Sequence, residues 1–507
     1  MKTTLIMGPP GTGKTTTLVN ILKSSLKKYK PYEIAYLSFT RKAAYEARDR
    51  VITQVTGFAP EEFLYISTIH SITFNLLGLS TRDMFGYEHA VYLGRKLGVD
   101  LSNVHRVVGD DDLQVVSFAQ DEGSIMLAID NFARIKCITL REAANQFNSS
   151  TPIDYVKLEW FCESYSRYKK HNGILDFTDI LEQYIDRGIV PKLKVVIIDE
   201  AQDLSSLQWR VIEKLTCNVD KVYIAGDDDQ AIYEWAGADV DNFLHIKKDE
   251  YKVLGQSYRL PRQIYEYANQ ISSRIENRYQ KDWLPNNDEG SVSYVSSCEE
   301  LPLQTGNWMI LCRNKMFTKT FEKHCWSQGF SYKSYNFDSS KLEAITVAKY
   351  WEKMRNGSAL TTDQATLVYK YLRPGTGVDK KFSRNLKWRQ DLPLTMNNLV
   401  EYYGLLKTEI WHKSLEKINP GLVYYIIGML RQKEPTNHYR ILISTIHAVK
   451  GAECDNVVVC PDMTNMTHLY MNKDHAREDR VFYVATTRAK KALYLLYPKK
   501  ERHYTLP

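Results

Sequence analysis

Residues 8–15 read Gly8-Pro9-Pro10-Gly11-Thr12-Gly13-Lys14-Thr15 and fit the pattern G-x-x-x-x-G-K-[ST]. The apolar run Leu5-Ile6-Met7 precedes them, and a helical pattern from Thr16 to Leu26 follows. Strand, glycine loop and helix in that order predict an α/β fold with the loop at the carboxyl end of a parallel strand. Glycines let backbone N–H groups curl around an anion, and the helix N-terminus adds positive partial charge. The expected site is a phosphate cradle of Gly8, Pro9, Pro10, Gly11, Thr12 and Gly13. Lys14 would reach the β and γ phosphates of a nucleotide, Thr15 would hold Mg²⁺, and Thr16 follows in the helix's first turn. A solvated glycine turn is the structural alternative.

A second stretch, Lys194-Val195-Val196-Ile197-Ile198-Asp199-Glu200-Ala201-Gln202-Asp203, joins four apolar residues to an acidic end. Such a run reads as a buried strand that delivers carboxylates to the edge of the sheet where ligands bind. Asp199 suits a metal ligand and Glu200 a base that polarises the attacking water. Alone, the pair could equally cap a helix; beside the glycine loop, the nucleotide reading takes precedence.

The segment Gly226-Asp227-Asp228-Asp229-Gln230-Ala231-Ile232-Tyr233-Glu234-Trp235-Ala236-Gly237-Ala238 follows another short strand, Val222-Tyr223-Ile224-Ala225. Gln230 can sense a terminal phosphate or the water attacking it, and Trp235 can stack on a base. Placed five residues apart, they suggest a lever linking nucleotide hydrolysis to a grip on single-stranded nucleic acid. A core Trp packed under a loop is the competing reading. Two arginines far downstream, Arg259 and Arg488, read individually as surface charges or ion pairs.

Composition sets wide bounds. The chain has 507 residues, enough for three or four domains, and its net charge of +7 allows a polyanionic partner without requiring one. Its eight cysteines form no C-x-x-C pair, which points to reduced, mostly buried thiols in an intracellular protein. The expected setting is cytoplasmic in a bacterium or virus, or nuclear in a eukaryote. No run of about twenty apolar residues suggests a membrane span. The acidic run Asp110-Asp111-Asp112 reads as a solvated turn. The basic and aromatic stretch Lys380-Lys381-Phe382-Ser383-Arg384-Asn385-Leu386-Lys387-Trp388-Arg389 reads as a solvated helix face, with phosphate contact as its alternative.

Taken in order, the motifs resemble those of the UvrD/Rep/PcrA group of superfamily 1 helicases. Besides the three stretches above they include Ser38-Phe39-Thr40-Arg41-Lys42-Ala43-Ala44, Ser67-Thr68-Ile69-His70-Ser71, Asp176-Phe177-Thr178-Asp179 and Gln256-Ser257-Tyr258-Arg259. Further matches are Thr445-Ile446-His447-Ala448-Val449-Lys450-Gly451-Ala452-Glu453 and Tyr483-Val484-Ala485-Thr486-Thr487-Arg488-Ala489. The resemblance implies that Phe39, Thr40, Thr68, His70, Tyr233, Trp235, Thr445 and His447 contact single-stranded DNA. It also implies that Gln230, Arg259 and Arg488 sense the γ phosphate, that Tyr258 stacks on adenine and that Glu453 holds the ribose.

An internal echo, Ile66-Ser67-Thr68-Ile69-His70 against Ile443-Ser444-Thr445-Ile446-His447, suggests two related domains gripping one strand at equivalent points. Relatives carry an adenine-reading Gln ahead of the phosphate loop. Only seven residues precede Gly8 here, so loose selectivity for the base is expected.

The implied architecture is a tandem of RecA-like P-loop NTPase domains with parallel sheets, each carrying a mostly helical insertion. Residues 1–78 and 173–250 would form the first domain around an insertion at 79–172. Residues 251–340 and 438–507 would form the second around a short insertion at 341–437. The implied function is an ATP- and Mg²⁺-dependent DNA helicase moving 3′ to 5′ on single strands and acting at duplex junctions, with replication or repair proteins as partners. A translocase that does not unwind processively and a nucleotide-gated loading factor are the alternatives.

Overall fold

The computed structural model of the chain describes residues 1–54, 57–101, 121–147, 153–382 and 387–507. The Asp110-Asp111-Asp112 run and residues 383–386 of the basic stretch lie outside them. Two compact units emerge: residues 1–289 with 473–487, and residues 290–472 with 488–506.

The first unit is built on β1 (Lys2–Met7), β2 (Ile34–Leu37), β3 (Ile66–Ser67), β4 (Val195–Ile198), β5 (Lys221–Gly226) and β6 (Glu250–Val253). They form one sheet in the order β3-β2-β4-β5-β1-β6, every pair parallel. Alternate residues enter two cores, as a sheet covered on both faces requires. Leu5, Met7, Val196 and Ile198 enter one core, while Ile6, Val195 and Ile197 enter the other.

Among the described residues of this stretch there are eleven α-helices: α1 (Lys14–Leu26), α2 (Arg41–Ile52), α3 (Ile69–Leu76), α4 (Tyr87–Leu97), α5 (Glu122–Lys136), α6 (Leu140–Gln146), α7 (Tyr155–Asn172), α8 (Phe177–Arg187), α9 (Ser206–Thr216), α10 (Val240–Leu244) and α11 (Arg262–Ser272). Helices α4–α7 enclose a separate core that includes Phe85, Leu93, Phe132 and Phe161. This apolar centre is distinct from the two under the sheet. At its base, Arg134 and Lys169 pair with Asp176 and Asp179, and the Tyr165 hydroxyl donates to Asp176 at 2.8 Å.

The second unit contains β7 (Ser291–Val295), β8 (Trp308–Cys312), β9 (Tyr332–Lys333), β10 (Ile441–Thr445), β11 (Cys454–Cys460) and β12 (Ala489–Leu496). Their order is β7-β12-β11-β8-β10-β9, again wholly parallel. Helices within the 341–437 stretch share one core with this sheet, since Trp351, Leu399 and Tyr425 cluster with Ile310 and Ile443. The α/β class and the paired parallel-sheet architecture therefore agree with the sequence.

Three details differ from expectation. The first unit runs to Glu289: β6 pairs with β1 across the anticipated boundary at 250/251, and Tyr258, Arg278 and Lys281 then bond to the same unit. Helix His475–Thr486 belongs to the first unit, although the flanking chain belongs to the second. All eight cysteines are free, yet only four are buried, and Cys137 and Cys217 are exposed. No helix among the described residues is long and apolar enough to cross a membrane.

Candidate functional site

The glycine loop leaves β1 and closes onto α1 with Gly11 at φ 73° and Gly13 at φ 79°. Both lie in the left-handed region where a Cβ is costly. At Gly11 there is no room for one either, because a Cβ there would meet Ser257 Oγ at 2.8 Å and overlap the Cβ of Arg259. The segment after β6 is seated directly on the loop. Tyr258 N donates to Gly11 O at 2.9 Å, and Ser257 Oγ donates to Pro10 O at 2.8 Å. That placement brings Tyr258 and Arg259 beside the loop, with the Tyr258 ring 76% exposed and next to Gly13. The first-turn N–H groups of α1 have no acceptor within their own helix and suit an anion.

Lys14 lies between the loop and the end of β4. Its Nζ is 2.6 Å from Glu200 Oε1 and 3.5 Å from Asp199 Oδ1. Burial works against the Lys14 charge, but Glu200 and Asp199 outweigh it and hold the ammonium above its ordinary value. Asp199 is buried and accepts from the Tyr36 hydroxyl at 3.0 Å. Burial pushes its carboxyl up, with Lys14 pulling the other way. Glu200 adopts φ 54°, an uncommon left-handed conformation for a residue with a side chain, which turns its carboxylate back toward Lys14.

The turn after β5 is tied into the same cluster. Gln202 Nε2 donates to Glu200 Oε2 at 2.6 Å, while Gln202 Oε1 accepts from Asp227 N at 3.1 Å. Gln230 Nε2 donates to Asp227 Oδ2 at 2.7 Å. Shortly afterwards the chain enters a set of rings. Tyr233 stacks on Phe39 with centroids 5.4 Å apart, and Trp235 meets Tyr233 edge-on at 6.4 Å. Phe39 follows β2 and Tyr233 follows β5, so topology joins residues far apart in sequence.

Thr40 and Thr68 are N-caps, accepting from Ala43 N at 3.2 Å and Ser71 N at 3.3 Å. Thr68 also donates to Ser71 Oγ at 3.1 Å. Their placement therefore presents the N-termini of α2 and α3 at the sheet edge, with the hydroxyls engaged as caps. His70 packs edge-on against Phe177.

In the second unit, Thr445 ends β10 and His447 opens the short turn His447–Val449. Glu453 pairs with Lys490 at 3.6 Å. Arg488 donates from Nη1 to Ala452 O at 3.3 Å, and its carbonyl accepts from Cys454 N. The echo does not occupy equivalent places. β3 is a two-residue edge strand bonded only to β2, whereas β10 has five residues and lies between β8 and β9.

Several contributors were not singled out by the sequence. Tyr36 lies in an apolar strand and carries no motif signal. Gln202 sits inside a quoted motif, but only the fold shows its two-sided amide. Lys281, Arg278 and Arg480 lie outside every chosen residue set, yet all meet the Asp227-Asp228-Asp229 turn.

The profile of the UvrD/REP helicase N-terminal domain matches residues 1–251, and that of the UvrD-like helicase C-terminal domain matches residues 395–500. The chain is 25% identical over 315 residues to ATP-dependent DNA helicase Rep of Buchnera aphidicola, covering 58% of this chain and 44% of that protein. It is 27% identical over 314 residues to ATP-dependent DNA helicase PcrA of Staphylococcus aureus and 28% identical over 326 residues to that of Bacillus subtilis, in each case covering 58% of this chain and 41% of the relative. The chain thus spans less than half the length of these curated relatives.

Proposed function

The chain belongs to the UvrD/Rep/PcrA-like superfamily 1 helicases, and on that premise we propose that it is an ATP-dependent DNA motor that moves 3′ to 5′ on single strands and uses Mg²⁺-ATP hydrolysis to unwind duplex or displace bound protein. One observation carries this reading. A bonded path runs from Glu200 through Gln202 to Asp227 and Gln230, and the same short segment continues to the rings of Tyr233 and Trp235. Any displacement of Gln230 by the phosphate end of a nucleotide is delivered a few residues later to the rings.

The residues fit a nucleoside triphosphate and a divalent cation by their chemistry. Within Gly8 to Thr16 the residues from Gly11 onward offer backbone N–H donors, which Pro9 and Pro10 lack, while Lys14 offers a positive charge and Thr15 and Asp199 oxygen ligands for Mg²⁺. The cation, when bound, neutralises phosphate charge. Lys14 exchanges its carboxylate partners for phosphate oxygens, and Glu200, freed of the ammonium, orients and polarises the attacking water. By the resemblance, Gln230, Arg259 and Arg488 would contact the γ phosphate, Tyr258 would stack on the base and Glu453 would hold the ribose. An arginine at that position is worth roughly 10³–10⁵ in rate. Phe39, Tyr233 and Trp235 supply stacking surface for bases. By the resemblance, Thr40, Thr68 and His70 of the first unit and Thr445 and His447 of the second would contact the single strand.

A second reading, translocation without processive unwinding, draws support from the 341–437 stretch. Its helices share a core with the sheet, an arrangement that ties them to the motor domain. Partial duplexes with 3′ or 5′ tails, in DNA and RNA versions with ATP and Mg²⁺, test both readings. The helicase proposal expects strand-stimulated hydrolysis and displacement from 3′-tailed DNA. Stimulated hydrolysis without displacement selects the translocase. Absence of stimulation leaves a nucleotide-gated loading factor, and replication or repair partners would then be sought for that role.

A further inference from the structure

Three consecutive aspartates, Asp227, Asp228 and Asp229, are fully buried. Three like charges in an apolar surround are untenable without counter-charge. The main counter-charge comes from one lysine outside every motif. Lys281 Nζ lies 2.8 Å from Asp227 Oδ1, 2.6 Å from Asp228 Oδ1 and 2.7 Å from Asp229 Oδ2, with its side chain 1% exposed. Arg278 forks onto both oxygens of Asp229, and Tyr279 N donates to Asp228 Oδ2 at 2.8 Å. Arg480, from helix His475–Thr486, donates to Asp228 O and Asn277 O and faces Glu234 at 3.5 Å.

The three aspartates are not interchangeable. Asp227 joins the cations directly to the chemistry, because its second oxygen holds the Gln230 amide and its backbone N–H holds Gln202. The path therefore runs Lys14–Glu200–Gln202–Asp227–Lys281, with an ammonium at each end. Asp228 and Asp229 bond to the cations, and Asp228 also accepts from Tyr279 N. Burial opposes the Lys281 charge, but the three carboxylates outweigh it and hold the ammonium above its ordinary value.

We propose that Lys281 is a positioning residue for nucleotide hydrolysis. By fixing Asp227 it sets the orientation of the Gln230 amide and, through Gln202, of Glu200. The inference rests on the hydrolytic reading given above and adds a residue that no motif contains. Its consequence is specific: loss of Lys281 reduces turnover while leaving the phosphate loop, and therefore nucleotide affinity, in place.

The test compares wild type, Lys281→Met, Asp228→Asn and the charge-balanced double variant K281M/D228N in the full chain. Steady-state hydrolysis of ATP with single-stranded DNA is measured beside binding of a fluorescent ATP analogue and thermal melting. Lys281→Met should lower kcat by about 10–100-fold, the range for removing a group that orients a functional ligand, with KM and analogue affinity little changed. Asp228→Asn removes a buried carboxylate from the same lysine, so it should lower melting while keeping kcat near wild type. If Lys281→Met does not fold, the double variant decides, since it removes one charge of each sign. Low kcat with recovered melting supports positioning. Recovery of kcat together with melting, or loss of kcat in step with melting across all variants, overturns it in favour of a purely structural role. A wild type without turnover removes the hydrolytic reading and this inference with it.

Discussion

Substituting Gly11→Ala isolates how the phosphate loop and the Ser257-Tyr258-Arg259 segment depend on each other. Two costs arise. The backbone at φ 73° penalises any Cβ by about 1–2 kcal/mol. The new methyl would also stand 2.8 Å from Ser257 Oγ and overlap the Cβ of Arg259, whereas ordinary Cβ contacts begin at 3.4 Å. Relief requires the segment to withdraw by about 1 Å, since carbon atoms attract best at roughly 3.5–4.0 Å. Misplacing a reacting group by that distance costs about 10²-fold in rate. Gly98→Ala is the control, because Gly98 has φ 67° with nothing within 4 Å of an added Cβ. Both variants should lose comparable stability through the backbone, and only Gly11→Ala should lose about 10²-fold in kcat for ATP hydrolysis. Melting curves and steady-state kinetics of the two, side by side, provide the measurement. Wild-type kcat in Gly11→Ala would refute the argument that Arg259 must lie against the loop.

Glu200→Gln should retain ATP binding and reduce hydrolysis by about 10²–10⁴-fold, because the water loses its polarising carboxylate; near-native turnover would show that another group is the base. Trp235→Ala should weaken binding of single-stranded DNA by about 1–3 kcal/mol while basal hydrolysis survives. A variant that instead melts early, with a stability loss of about 3–5 kcal/mol, identifies Trp235 as a core residue. Lys169→Met should destabilise the first unit by about 3–5 kcal/mol, since Asp176 and Asp179 remain buried beside Arg134 alone. Burial would raise the Asp176 carboxyl, but Arg134 and Lys169 outweigh it and hold it below its ordinary 3.8. Its wild-type contribution is thus complete above that value and lost as pH falls through the lower folded one. The penalty of Lys169→Met in urea titrations should therefore shrink on acidification below about pH 4. A penalty that is flat or grows would refute the pairing.

Much of this organisation was legible because its signals are local. The glycine loop between Met7 and Lys14 and the apolar run Val195 to Ile198 each carry their own periodicity and turn chemistry, and both form as expected. Non-local features were not legible. β6 completes the first sheet by pairing with β1 some 246 residues away, a partnership that no local pattern announces, so the boundary anticipated at 250/251 fell short of the one at 289/290. The left-handed turn at Glu200 leaves no trace in residue type. Lys281 is 52–54 residues from its carboxylates and lies in no pattern, and Arg480 is 252 residues from Asp228. The repeated pentapeptide misled for the opposite reason: similar strand-to-turn chemistry serves an edge strand once and an inner strand the second time.

Helix His475–Thr486 has a further consequence during synthesis. Nearly all of the first unit has been made when residue 289 leaves the ribosome, yet this helix follows about 200 residues later, roughly 10–40 s at ordinary elongation rates. Throughout that interval the face of α11 that receives the helix is uncovered, and half-buried Glu234 waits for Arg480. Lys281 and Arg278 are already present, so the aspartate turn can form ahead of completion. If the first unit folds as it is made, it does so with one open helix slot. Slowing translation between residues 290 and 472 should lengthen that exposure, which protease protection of ribosome-bound chains would report.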